Sequence, residues 1–201
     1  MTYNKDTGEK ILNTAISVFE EKGYSGTRMQ EIADKAGINK ALLHYYYKSK
    51  DRMFQIILER ALNLLMPKVV AAFKNDYDLF TSIEKFVSAY IDTLIKHPHL
   101  PGFVLHELSS NPNRIVNMIK LGGVDANDLR KKIQVEIDKG TVESCDPNQL
   151  ILNILSLCIF PFVAKPIFVG LILDGDQQKY KQMIEARKTE VSIFIIKAIR
   201  K

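Results

Sequence analysis

The chain of 201 residues is 46% hydrophobic and 25% charged, the balance of an ordinary globular protein, which argues against a largely disordered chain and leaves room for a small domain plus a larger one. Its formal net charge of +5 favours a polyanionic partner, yet the excess is spread out: residues 1–66 hold ten Lys or Arg against eight Asp or Glu. Cys145 and Cys158 are too few for a disulfide framework or a zinc site and are expected to be reduced. The polar start MTYNKDTGEK lacks the apolar core of a signal peptide, so a cytoplasmic location is expected.

Asp6 and Glu9 have the spacing of a capping box, and Ile11, Leu12, Ala15, Val18 and Phe19 then form the apolar face of a first helix ending near Gly23. Thr27 and Gln30 suggest a second capping box. Met29, Ile32, Ala33 and Ala36 recur at helical spacing, and Gly37 stands where a left-handed C-terminal residue is wanted. Asn39 is placed to cap a third helix that buries Leu43 and presents Lys40, Ala41, Leu42 and His44 in its first turns. Two short helices hinged at a glycine are the layout of a helix-turn-helix, whose second helix offers its early residues to base edges in a major groove. Tyr45, Tyr46 and Lys50 carry donors suited to phosphate oxygens. Between Gly37 and Arg52, Lys40, Lys48, Lys50 and Arg52 oppose only Asp51, and this local excess is more telling than the total charge. The pattern alone leaves a second reading open, because such helix pairs also occur in proteins that bind no DNA and aromatic runs are often core.

From Ala15 to Phe54 the residues Ala15, Phe19, Gly23, Thr27, Ile32, Ala33, Ala36, Gly37, Leu43, Tyr47, Ser49 and Lys50 fall in a register that resembles the N-terminal domain of the TetR family of transcriptional regulators. The resemblance implies an all-α protein: a three-helix helix-turn-helix DNA-binding domain over 1–48, a connecting helix over 49–66, and a larger helical ligand-binding and dimerisation domain over 67–201. It implies a homodimer that binds a double-stranded DNA operator, most often as a repressor, and is released by a small-molecule effector. By position, Thr27 and Arg28 open the supporting helix at the DNA backbone, Asn39, Lys40, Ala41, Leu42 and His44 face the bases, and Tyr45, Tyr46 and Lys50 clamp phosphate. The family most often has tyrosine at the place of His44 and histidine at that of Tyr46, so an operator sequence does not transfer. Tyr47 replaces the usual phenylalanine and suits the core if its hydroxyl reaches water or a partner.

A fourth helix starts at Ser49 or Lys50, buries Met53, Phe54, Ile57, Leu58, Ala61 and Leu65, and is expected to end or kink near Pro67. Helical spacing predicts further helices over 79–96 and 103–109, a turn with a new start at 111–113, an interruption at Gly122-Gly123, and a helix over 125–139. Phe86, Tyr90, Phe103, Met118, Phe160 and Phe162, with His106 as a polar contact, are candidates to line an effector pocket; each is equally the residue type of a core. A largely apolar effector suits such a lining. Asp146 and Pro147 predict the start of an apolar helix, and residues 177–199 a last one with Tyr180, Ile184, Val191, Phe194, Ile195 and Ala198 in a stripe. These two resemble the dimer-forming pair of the family.

Residues 150–173 are long and apolar enough to compete as a membrane anchor, since 24 residues at about 1.5 Å each span about 30 Å of hydrocarbon. Lys165 and the ladder-breaking Pro161 and Pro166 oppose that reading and favour a protein with no membrane partner. His97, His99 and His106 near Glu107 raise a metal-dependent enzyme, but no helical i, i+4 histidine pair exists among them, and no metal is expected. The chain carries no phosphate loop, no dinucleotide glycine fingerprint and no nucleophile elbow, so neither enzymatic activity nor a cofactor is expected.

Overall fold

The computed structural model describes residues 5–73 and 77–201, and these form helices. In chain order they are α1 (Lys5–Gly26), α2 (Met29–Ala36), α3 (Lys40–Tyr47), α4 (Lys50–Ala72), α5 (Leu79–Lys96), α6 (Leu100–Ser110), α7 (Pro112–Leu121), α8 (Ala126–Asp138), α9 (Pro147–Val163), the short α10 (Lys165–Ile167) with a π-turn at Phe168–Ile172, and α11 (Gln177–Ile199). Capping side chains set many of the starts. Asn39, Ser49, Asp78, Asp125, Asp146 and Asp176 each accept from a backbone N–H in the first turn of the helix that follows. Asp6 lies in the first turn of α1.

The capping box expected at Thr27 does not form. Thr27 is buried, its hydroxyl donates to the Gly23 carbonyl at 2.7 Å, and Gln30 donates to Asp34. Gly23, at φ 67° and ψ 178°, breaks the end of α1, and the freed carbonyl is what Thr27 satisfies.

Pro67 does not stop α4, which continues to Ala72. Pro67 and Asn63, whose carbonyl loses its i+4 donor, both face solvent, so water can take the place of the missing bond while Leu62, Leu65 and Met66 stay buried on the other side. Pro161 is accommodated differently. It is buried in α9, and the Leu157 carbonyl it leaves without a helical partner accepts instead from the Arg187 guanidinium of α11 at 2.7 Å. The Tyr180 hydroxyl donates to the Pro161 carbonyl at 3.1 Å, so α11 braces the place where the apolar segment turns.

That turn is sharp: Pro147–Val163 and Lys165–Ile172 meet at 60°. Among the described residues no single helix is long and apolar enough to cross a membrane.

Two hydrophobic cores share α4. One joins α1, α2 and α3 to Met53, Phe54, Ile57, Leu58 and Leu65, and extends to Leu94, Leu100, Phe103 and Ile115. The second gathers Ala72, α5, α9 and α11. The boundary expected at residue 48 is therefore no gap in packing; the N-terminal helices rest directly on α4 and α6. Gly122, at the end of α7, closes this arrangement, because a Cβ built there would stand 2.5 Å from Cγ and 2.7 Å from Cβ of Met66. The Met66 Cβ is fixed to the α4 backbone and cannot swing aside. Gly122→Ala is expected to lower stability by about 1–3 kcal/mol through overpacking, read as a drop in the urea midpoint at unchanged m-value.

Candidate nucleic-acid interface

The α2–α3 pair is built from a left-handed hinge. Gly37 has φ 71°, and the amides of Gly37 and Ile38 bond back to the Asp34 and Ala33 carbonyls at 3.1 and 3.0 Å, which ends α2 and turns the chain. Asn39 then caps α3 by accepting from the Leu42 amide at 2.8 Å. Leu43 and Tyr47 bury one side of α3, and the Tyr47 hydroxyl donates to the Gly8 carbonyl at 2.7 Å, the partner its place in the core requires. With that side anchored, Asn39, Lys40, Ala41, His44 and Tyr45 are exposed, and Leu42 and Tyr46 are half-exposed.

The charges around this face are distributed unevenly. Lys22 pairs with Glu31, Lys35 with Glu21 at 3.0 Å, and Arg52 with Glu59 at 3.7 Å. Among the described residues Arg28, Lys40 and Lys48 form no ion pair, and all three are exposed. Cations left without acidic neighbours beside a protruding helix suit the phosphate charge of DNA. His44 adds a directional group. Its Nδ1 lies 2.8 Å from the Lys48 carbonyl, which only accepts, so Nδ1 carries the proton and the neutral ring offers Nε2 as an acceptor. Such an acceptor matches the amino groups of adenine or cytosine in the major groove.

Two of the residues expected at DNA make bonds within the chain. Thr27 is buried and its hydroxyl donates to the Gly23 carbonyl of α1. Lys50 is half-buried. Its Nζ donates to the Tyr24 and Thr27 carbonyls at 2.8 and 3.0 Å and lies 4.3 Å from the centre of the Tyr24 ring. It ties the start of α4 to the α1–α2 corner.

Of the residues expected to line a pocket, Phe86 and Tyr90 do so, on a cavity of about 530 Å³ bounded also by Leu62, Val69, Val104 and Ile154. Phe103 and His106 do not. The Phe103 ring packs 5.6 Å from Phe19 and 4.5 Å from Phe54, and His106 stacks 4.2 Å from Tyr24. Their face of α6 meets the N-terminal helices, a direction that helical spacing alone does not specify. Met118 packs at the edge of the first core, Phe162 lies between the two cores, and Phe160 is 57% exposed. Of the cavity's main wall, Leu62 to Phe73 along the end of α4 and its cap, only Leu65 was placed on a buried face, and nothing in its spacing sets it apart from the core.

The stripe expected at a dimer interface is also mostly internal. Tyr180, Ile184, Val191 and Ile195 are buried within the chain in the second core, whereas Phe194 is 64% exposed and Ala198 faces outward. With Phe160 and Val163 of α9 also exposed, both helices of this pair keep uncovered apolar side chains.

Of the histidines weighed for a metal and set aside, His99 contacts Glu20 at 3.2 Å and His97 sits edge-on to His99. Among the described residues no group of three or more His, Cys, Asp or Glu side chains is placed to hold a metal ion. Burial pushes the Cys158 thiol up to about 12, so it stays protonated and unreactive.

Residues 11–65 match the family described as bacterial regulatory proteins, tetR family. The chain is 24% identical over 146 residues to the HTH-type transcriptional regulator RutR of Escherichia coli (strain K12), covering 72% of this chain and 68% of that protein. It is 26% identical over 160 residues to the HTH-type transcriptional repressor NicS of Pseudomonas putida, covering 77% and 74%. In fold it is similar to the ketosteroid transcriptional regulator KstR2 of Mycobacterium tuberculosis, with a TM-score of 0.75, 19% identity, and 100% and 97% of the two chains covered.

If Lys50 braces the α1–α2 corner, Lys50→Met, which keeps the apolar stem and removes both charged donors, lowers the stability of the DNA-free protein by about 1–3 kcal/mol in urea denaturation. A residue that only grips phosphate would leave that midpoint where it is.

Proposed function

We propose that this chain, whose residues 11–65 match the tetR family of bacterial regulatory proteins, is a DNA-binding transcriptional regulator that acts as a homodimeric repressor and leaves its operator when a small apolar effector fills the cavity. The observation that carries the DNA-binding half is the exposed face of α3, with Lys40, His44 and Tyr45 presented and Lys40, Lys48 and Arg28 in no ion pair among the described residues. Asn39, Lys40, Ala41, Leu42 and His44 read bases; Tyr45, Tyr46, Lys48 and Arg28 hold the phosphate backbone.

The repressor reading has a specific motivation in NicS, which is named as a repressor, and in a cavity whose wall is the same helix that starts beside α3. Dimerisation follows from physical need. One short helix makes few base contacts, and two such helices on a twofold axis combine two weak half-site contacts into one tight one on a palindromic site. The outward face of α9 and α11, through Phe160, Val163 and Phe194, is the surface that pairs, in place of the buried stripe.

Mobility shift with genomic fragments at stated salt tests the reading, and preference for no fragment over random DNA sinks it. Within that assay Lys40→Ala is expected to relax preference at particular base pairs, with a loss of about 1–3 kcal/mol on the preferred site and a smaller loss on random DNA. A uniform loss across sequences would remove Lys40 from base reading. Phe194→Asp places a charge in the pairing face; sedimentation should report a monomer and the specific shift should disappear, whereas an intact dimer would place the interface elsewhere.

A further inference from the structure

The cavity is elongated. Its wall on α4 and its cap runs from Leu62 to Phe73, a rise of eleven steps or about 16 Å, and the opposing wall is supplied by Phe86, Tyr90 and Leu94 of α5. The direction of these walls is set by packing: Phe73 lies 5.5 Å from Phe86, and Lys68 reaches Thr93 at 3.1 Å, so the two helices run antiparallel and Tyr90 stands near the middle.

Aliphatic and aromatic side chains make most of the lining, and polar side chains are confined to two places. Asp125 and Asp128 are exposed at the rim, on the segment that follows Gly123 where it packs on Val70 near the end of α4. Lys132 is also at the rim; the Asp78 carboxyl, held down chiefly by the Thr81 amide, feels its charge only weakly. Tyr90, half-buried, is the polar side chain of the wall away from the rim, and its hydroxyl makes no hydrogen bond with any described residue. Burial, with the Cys158 thiol beside it, pushes the Tyr90 phenol up to about 12, so it keeps its proton and can both donate and accept.

Building on the ligand-responsive reading, the geometry points to the chemical class of the effector: an uncharged, elongated, mostly apolar molecule carrying one oxygen function, a ketone, ester or alcohol, near its middle, where Tyr90 hydrogen-bonds it. A carboxylate or ammonium in that position would be buried with no counter-charge in the interior wall. A carboxylate left at the mouth would meet two carboxylates, Asp125 and Asp128, against one ammonium, Lys132. A pure hydrocarbon would fit the walls but leave the Tyr90 hydroxyl dry and unpaired.

The test uses the full chain, the neutral dye N-phenyl-1-naphthylamine as cavity reporter, and three competitors: 6-undecanone, the oxygen-free hexylbenzene, and undecanoate. The ketone is expected to displace the dye from the wild type at least tenfold more tightly than undecanoate. Tyr90→Phe, which keeps the ring, should weaken the ketone about fivefold to tenfold, the range for one hydrogen bond, and leave hexylbenzene within about twofold. Equal ketone affinity in both proteins, equal loss of both neutral probes, or undecanoate binding as tightly as the ketone would overturn the assignment. Operator release is followed in parallel with the same compounds. Ketone binding without release would uphold the effector class and contradict ligand-responsive repression; release by undecanoate but not by the ketone would do the reverse.

Discussion

Everything in this molecule leans on the packing around Phe54. Its ring lies 5.6 Å from Phe19 and 5.0 Å from Tyr24, both on α1, and 4.5 Å from Phe103 and 5.1 Å from His106, both on α6. One side chain of α4 is thus gripped from both sides. The N-terminal helices form too small a body to bury a sizeable core alone, and this cluster lets them borrow the α6–α7 surface. Polar contacts follow the same route. Buried Glu107 of α6 meets Arg114 of α7 at 3.2 Å, and Arg114 lies 3.7 Å from Asp51 in the first turn of α4. His99 reaches Glu20 of α1. Burial raises the Tyr24 phenol, and the carboxylates of Asp51 and Glu107 raise it further, so the ring at the centre of this joint stays neutral.

That joint gives the regulatory reading its mechanical content. A molecule in the cavity touches α4 from Leu62 to Phe73 and α6 at Leu100 and Val104, while the opposite face of α6 presents Phe103 and His106 to α1 and α4. Any shift of α6 or tilt of α4 reaches Tyr24 and Lys50, and Lys50 holds the carbonyls from which α2 departs. Packed cores deform in discrete steps rather than continuously, so a small displacement can be handed on across the joint. A coupling of about 1–3 kcal/mol between cavity and reading head is the ordinary scale for such an arrangement.

The helices were legible in the sequence because their signals are local. α5 and α11 fall on the bounds that spacing and caps predict, and Gly37 and Asn39 locate the hinge and the start of α3 within a residue. What was not legible depends on partners distant in the chain. Pro67 looked like a stop because a sequence does not reveal that Asn63 and Pro67 share the wet side of α4. Pro161 lost its penalty to Arg187, twenty-six residues away. Thr27 and Lys50 carry a hydroxyl and an ammonium that suit phosphate, and their bonds to the Gly23, Tyr24 and Thr27 carbonyls could not be read from spacing. The pocket was the least legible part. A cavity is a difference in packing between helices, and Phe86 at its wall is the same residue type as Phe103 in the joint.

The central claim, that α3 is the surface that meets DNA and that α4 and α6 stand behind it, is tested most directly by hydrogen exchange of the full chain with and without random-sequence duplex DNA at low ionic strength, where sequence-independent contacts suffice for binding. The account predicts slowed exchange over residues 28–50, with weaker protection reaching α6, and unchanged exchange in α8. Protection absent from residues 39–48, or concentrated on another surface such as α8, would contradict it.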